Sequence, residues 1–519
     1  MRRSISRSTL LQHWSSREHN AMDLDELTIA RTLNLFGGRE LGAAELCQAF
    51  LDRIEEIDRS GPTLRSVLEV NPHALASAEA CDRAREAGDR PRPLSGIPIL
   101  VKDSIDTADG TMTTAGSIAM IGNAAERDAF VVDRLRKAGA VILGKANMTE
   151  WSYMRSVRTC SGWSSRGGQI RNPHVLDRSP SGSSGGSAVA VAAGLCMGAL
   201  GAEVDGSIVR PSSANGIVGI KPTVGLVSRR GVMPVAEPQD TAGPMARTVA
   251  DVALLLSVLA GRDPGDSATM VEEVSPSYDF TPFLRMDALH GARIGVARDL
   301  MGTHEGVDKV IEAAIDTLRD LGADVVDPAV GAWTPFFGEA ETELCLYGFK
   351  NGINHYLASH SNSPMKSLAD VIAFNEANAN RVMAYFPQDL FERANARGSL
   401  EDEAYLKAKE ECLRLSRTDG IDKVMNKHRL DALIAPTDGT PAWAIDLLVG
   451  DHIVGGCSAP PAMAGYPHVS VPAGMCHGLP VALSFFGKAW QDGKLLGYAF
   501  AFEQATHARR SPAFNQTVA

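Results

Sequence analysis

The chain has 519 residues, of which 44% are hydrophobic and 22% charged, an ordinary globular balance. Its net charge of −11 argues against a nucleic-acid partner, which prefers a basic face. No apolar run is long enough to span a bilayer, because the longest candidate, residues 188–202, is interrupted by three glycines and reads as core helix plus strand.

In chain order, residues 1–22 come first. They are rich in Arg and Ser and lack an apolar h-region, which argues against a secretory signal; a transit peptide shares the composition, and a flexible N-terminal extension is the reading adopted. Residues 23–519 read as a single domain. An amphipathic helix is predicted over 43–58, with Leu46, Phe50, Ile54 and Ile57 at helical spacing. Gly96-Ile97-Pro98-Ile99-Leu100-Val101-Lys102-Asp103 is an apolar strand ending in a lysine. A helix over 128–138 precedes the strand Ala140-Val141-Ile142-Leu143-Gly144.

The run Ser179-Pro180-Ser181-Gly182-Ser183-Ser184-Gly185-Gly186-Ser187 is the most informative segment. Small hydroxyl residues between glycines tolerate positive φ values and present their hydroxyls with little steric cover. An apolar stretch, 188–195, follows at once, so the run opens a buried helix rather than serving as a flexible linker. Gly182-Ser183-Ser184-Gly185-Gly186 satisfies the G-x-S-x-G pattern, but the preceding residues 171–178 are polar and broken by Pro173, where a nucleophile elbow requires a strand. No Lys-Ser/Thr pair follows the glycines, so a phosphate-binding loop is excluded and no cofactor is expected. A short strand over 197–200 then leads into a second glycine–serine turn, Gly201-Ala202-Glu203-Val204-Asp205-Gly206-Ser207-Ile208.

Later strands are predicted at 294–297, 433–435, 468–471 and 481–486, with a closing helix over 494–507. Strands alternating with helices imply an α/β fold: a mixed, mostly parallel central sheet covered by helices on both faces. Residues about 335–425 differ, reading as helices without strands. Tyr347, Phe349, Tyr356, Phe374, Tyr385, Phe386 and Phe391 concentrate there, which admits two readings: an apolar substrate-lining wall, or ordinary helix packing.

The eight cysteines include no C-x-x-C pair, which speaks against a dense disulfide framework and for reduced core thiols in a cytoplasmic protein. Cys160 has no motif around it and reads as a packing residue. None of the thirteen histidines falls in a metal-ligand spacing, so no metal site is expected, and His468 and His477 read as structural or exposed.

Taken alone, Lys102 is a strand-end charge. Burial at that position would strip its solvation, lower its pKa and make it a base. The lysine strand, the Gly/Ser run, the Asp205-Gly206-Ser207-Ile208 turn and Gly216-Ile217-Val218-Gly219-Ile220-Lys221-Pro222-Thr223 together resemble the amidase signature family, in the family's order. Asp240-Thr241-Ala242-Gly243-Pro244-Met245-Ala246-Arg247 and Gly478-Leu479-Pro480-Val481 extend the likeness over roughly residues 25–510. Within the family, the segments 162–169, 204–209 and 344–350 look most like bacterial peptide amidases, which remove the C-terminal carboxamide of peptides.

The resemblance implies a Ser–Ser–Lys amide hydrolase acting on a small-molecule or peptide amide, as a monomer or homodimer. It makes Ser207 the nucleophile, Lys102 the base and Ser183, 24 residues before Ser207, the bridge between them. The residues alone do not choose Ser183 over Ser184. The backbone N–H groups of Val204, Asp205, Gly206 and Ser207 are the expected oxyanion donors. The glutaminase component of a tRNA-dependent amidotransferase, working in a complex on charged tRNA, shares the signature and is the alternative. The chain departs from many relatives at Ala202, Glu203, Asp205 and Val209, where Thr, Asp, Gly and Arg are common. The family's Asp–Arg brace is thereby lost, and Arg210 is the candidate partner for Glu203.

Overall fold

In the computed structural model, residues 23–275, 277–331, 333 and 338–518 are described, so the expected extension over 1–22 lies outside the described residues. The apolar runs of the sequence form β2 (Pro98–Lys102) and β3 (Val141–Ala146), each buried at every position. Strands this apolar need cover on both faces. They join β1 (Val67–Val70), β6 (Gly198–Glu203), β7 (Val218–Lys221), β8 (Thr241–Ala246), β9 (Arg293–Val296), β10 (Asp324–Val326), β11 (Ala432–Pro436), β12 (His468–Cys476) and β13 (Leu479–Phe486) in one eleven-stranded sheet. A separate two-stranded ribbon pairs β4 (Trp163–Ser164) with β5 (Gly168–Gln169).

The sheet order is β1-β3-β2-β6-β8-β7-β12-β13-β11-β9-β10, flanked by helices. The mixed sheet is as expected; its balance of directions is not. Six neighbour pairings are antiparallel and four are parallel. Parallel pairing needs a crossover, as the helices Phe130–Lys137 and Glu305–Asp320 provide between β2 and β3 and between β9 and β10. β12 and β13 are instead joined directly by His477-Gly478, both at positive φ (51° and 74°), as a tight hairpin turn demands.

β2 and β6 run parallel, with Ile99, Leu100 and Val101 opposite Gly198, Ala199 and Leu200, so both strands end at the same edge. The helix Gly185–Ala192 is buried along its whole length and leads back into β6. That return brings the two serine-rich segments together.

Between residues 339 and 428 the described structure is helical: Glu339–Ser359, Leu368–Ala377, Ala379–Val382, Asp389–Asn395, Glu403–Leu413 and Asp422–His428, with a distorted turn of helix at Arg414–Ile421. Phe349 stacks on Phe391 at 5.5 Å, and Trp151 meets both edge-on at 6.3 and 5.8 Å. Most of the aromatic concentration is thus helix packing. Among the described residues no helix is long and apolar enough to cross a membrane.

Candidate active site

Lys102 is the last residue of β2 and has no exposed surface. Its Nζ donates to Ser183 Oγ at 2.7 Å and to the Ala202 carbonyl at 2.8 Å. Burial pulls its pKa down to about 7, against the opposing pull of the Glu203 and Asp240 carboxylates. A lysine in that range is partly neutral at physiological pH.

Ser183 sits where only glycine can precede it. A Cβ on Gly182 would fall 2.2 Å from Thr149 Oγ1 and 2.8 Å from Tyr153 Oη. The Gly182–Ser183 peptide is cis, and the Ser183 carbonyl accepts from Thr149 N–H at 3.0 Å. The neighbouring Ser184 is engaged elsewhere: its Oγ donates to the Ala202 carbonyl at 3.2 Å and accepts from Ala202 N–H at 3.3 Å. Its own N–H donates to the Ser207 carbonyl at 3.1 Å, stapling the two serine turns. The choice between Ser183 and Ser184, open in the sequence, becomes geometric: the lysine reaches Ser183.

Glu203 organises the Ser207 turn. Its Oε1 accepts from Gly206 N–H at 2.9 Å, and its Oε2 from Ile208 and Val209 N–H at 2.6 and 3.1 Å. Two expectations are corrected here. Arg210 does not brace Glu203, because its Nε pairs with Asp438 at 2.8 Å; the three N–H bonds, helped by the charge of buried Lys221, do that work. Gly206, at φ 74°, is not an oxyanion donor here, because its N–H is committed to Glu203. The N–H groups of Val204, Asp205 and Ser207 have no acceptor among the described residues.

Ser183 and Ser207 line one small cavity, with Val204 from the Ser207 turn and Ser104, Ser152 and Asp240 around it. These last three were missed in the sequence, although Ser104 lies two residues past Lys102 and Asp240 opens the Asp-Thr-Ala-Gly-Pro segment. Ser152 is presented by three consecutive left-handed residues, Trp151, Ser152 and Tyr153, at φ 51°, 50° and 74°. Such a run is costly for non-glycine residues and typical of functional sites. Burial raises Asp240 to about 6.

Two larger cavities flank the centre. One, of about 570 Å³, is lined by Tyr153, Met154, Cys345 and Leu346; the other, of about 790 Å³, by Val232, Gly348, Tyr356 and His360. The helix Glu339–Ser359 lines both. Of the seven aromatic residues singled out in the sequence, only Tyr356 reaches either wall. Cys160 is buried, with its thiol pushed up by burial, as suits a packing residue. His468 is buried too, its Nε2 on Ser484 Oγ at 2.5 Å, and burial takes it down to about 3.

The sheet, and the groups gathered where β2 and β6 end, define an α/β enzyme with a buried serine–lysine centre. The chain belongs to the amidase family, whose profile matches residues 45–496. The crystal structure of native peptide amidase from Stenotrophomonas maltophilia superposes with a TM-score of 0.89 at 45% identity, covering 95% of this chain and 99% of that one. A probable amidase of Arabidopsis thaliana is 39% identical over 510 residues, 96% of this chain and 93% of its own length. A putative amidase of Schizosaccharomyces pombe is 33% identical over 531 aligned positions, 96% of this chain and 88% of its own length. A glutamyl-tRNA(Gln) amidotransferase component of Caldanaerobacter subterraneus subsp. tengcongensis is 34% identical over 502 residues, 93% of this chain and 97% of its own.

Proposed function

We propose that this amidase hydrolyses linear carboxamides through an acyl-enzyme on Ser207, with Ser183 and Lys102 as its proton relay. The observation that carries the reading is the 2.7 Å bond from a fully buried lysine to Ser183, in the cavity that also holds Ser207. A serine hydroxyl is unreactive at its own pKa and needs a base. Ser183 takes the Ser207 proton as it passes its own to neutral Lys102, and Ser207 Oγ attacks the carbonyl carbon. The oxyanion forms against the N–H groups of Val204, Asp205 and Ser207, each such donor lowering the barrier by about 2.7–4 kcal/mol. The relay then runs in reverse, the leaving nitrogen is protonated, and water releases the acyl group by the same route.

The substrates proposed are peptide C-terminal amides and aryl or alkyl amides, with esters and carbamates sharing the acyl-transfer chemistry. The flanking cavities, walled by the helix Glu339–Ser359, give that helical region its proposed substrate-lining role. All eight cysteines are free, which suits a reducing cytoplasm. The likeness to an amidotransferase component keeps a second reading alive, in which the chain works with a partner protein. Turnover of simple amides by the isolated chain supports the first reading; activity only with a co-purifying partner supports the second. Purified protein assayed against peptide amides, anilides and carbamates, with a fluorophosphonate label located by mass spectrometry, tests the mechanism. A label on Ser184 or on a cysteine sinks it.

A further inference from the structure

Ser104 stands at the end of the lysine strand, is 2% exposed, and lines the cavity shared by Ser183 and Ser207. Its backbone is held in place, the carbonyl accepting from Met233 N–H at 2.8 Å. Its hydroxyl, however, has no hydrogen-bond partner among the described residues. Leaving a buried hydroxyl unpaired is costly, and a bound group able to pair with it removes that cost. Two other polar side chains of the cavity are already engaged: Ser183 by Lys102, and Asp240 Oδ2 by Val235 N–H at 3.0 Å.

The reacting group of the substrate decides what Ser104 would meet. A primary carboxamide offers an oxygen, which belongs with the oxyanion donors, and an NH₂ with two N–H groups that need acceptors. The space beside the serines is small, so the leaving group it takes is small as well.

We infer that Ser104 is a specificity-determining residue whose Oγ accepts a hydrogen bond from the NH₂ of a primary carboxamide, selecting unsubstituted amides over the corresponding esters. This rests on the reading of Ser207 as nucleophile. An ester of the same acyl group has no N–H to give and only a weakly accepting alkoxy oxygen to receive the hydroxyl proton, so it gains little from Ser104. A site that hydrogen-bonds a substrate group discriminates against the analogue lacking it, because its own polar atom is left unpaired.

The test compares a peptide primary amide with the methyl ester of the same peptide, on wild-type protein, Ser104→Ala and Ser104→Thr. Ser104→Ala is expected to lower kcat/KM for the amide roughly tenfold, the loss of one hydrogen bond, while the ester stays within about twofold. Ser104→Thr keeps the hydroxyl and retains the wild-type amide-to-ester ratio. Equal losses on both substrates in Ser104→Ala, or no loss on the amide, overturn the assignment, since a merely structural serine would act on both alike. Fluorophosphonate labelling of Ser207 runs alongside. Its persistence in Ser104→Ala shows an intact nucleophile behind any shift in ratio, and its absence from wild-type protein overturns the acyl-enzyme reading and the Ser104 assignment with it.

Discussion

The middle of the sheet and the helical region at 339–428 are both buried, but with opposite materials. At the ends of β2, β6 and β7 the buried groups are Lys102, Glu203 and Lys221, beside Asp240 at the threshold of β8. Backbone N–H and C=O groups hold them, as in the three N–H bonds to Glu203 and the Lys102 bond to the Ala202 carbonyl. In the helical region Phe349 and Phe391 stack on each other and meet Trp151 edge-on. Burial of polar groups moves their pKa values and makes chemistry; burial of rings makes stability. Substitutions in the two regions should therefore fail in different measurements.

The largest effect is expected at Ser207. Ser207→Ala should cut amide turnover by about 10⁴–10⁶-fold with little change in the melting temperature, because a small hydroxyl contributes little packing. A large drop in melting temperature would blur the contrast between the regions. Lys102→Arg should be nearly as damaging to amide turnover as Lys102→Ala, since arginine keeps the charge but does not deprotonate in a usable range. Esters should suffer less, because their leaving alkoxide depends less on a relayed proton. If Lys102→Arg kept amide turnover within about tenfold, roughly 1.4 kcal/mol of barrier, the relay would have to be abandoned. In the wild-type protein the base must be neutral, so the rate should rise as pH passes about 7.

The same lysine makes a stability prediction of definite sign. Its folded pKa of about 7 lies below the usual 10.5, so between those values the unfolded chain binds a proton that the folded chain lacks. Stability contributed through Lys102 therefore rises with pH across that window. Lys102→Met should be more stable than wild type near pH 7, and denaturant titrations should show the gap closing toward pH 10.5.

Next comes Phe349→Ala, which should cost about 3–5 kcal/mol of unfolding free energy while the pH profile of the remaining activity stays put. A displaced profile would tie the aromatic packing to the chemistry after all. A smaller effect than at Ser207 or Lys102 is expected for Glu203→Gln, which keeps one carbonyl acceptor but turns an amide N–H₂ toward the turn. It should lower kcat about a hundredfold, some 2.7 kcal/mol, with the Tm less affected than in Phe349→Ala.

The two regions also differ in how far the sequence disclosed them. β2, β3 and β12 announce themselves as apolar runs, and Lys102 and Ser207 stand out through motifs that resemble a family's, while only that resemblance, not the residues alone, picks Ser183 over Ser184. β8 does not, because Gly243 and Pro244 argue against a central strand. The structure accommodates both: Pro244 lies opposite Leu200, and a Cβ on Gly243 would fall 2.2 Å from the Ile220 carbonyl. The Arg210–Asp438 pair joins segments far apart in the chain, which no local pattern reports. The left-handed run at Trp151–Tyr153 carries no glycine to advertise it, and the mostly antiparallel pairing follows from how strands interleave rather than from any one strand's composition.

The bond from Ser184 N–H to the Ser207 carbonyl closes a circuit, since the chain leaves this point through the helix Gly185–Ala192 and comes back along β6. A path that must end where it began tolerates no change of length. One extra residue in the helix would rotate its exit by about 100° and advance it about 1.5 Å, and one in the strand would turn every later side chain to the opposite face. Either way Ser207 would arrive out of reach of Ser183. The exposed hairpin at His477-Gly478 has no such obligation. Insertions and deletions should thus be absorbed at that hairpin and refused between the two serines, which makes their separation a ruler rather than a coincidence of sequence.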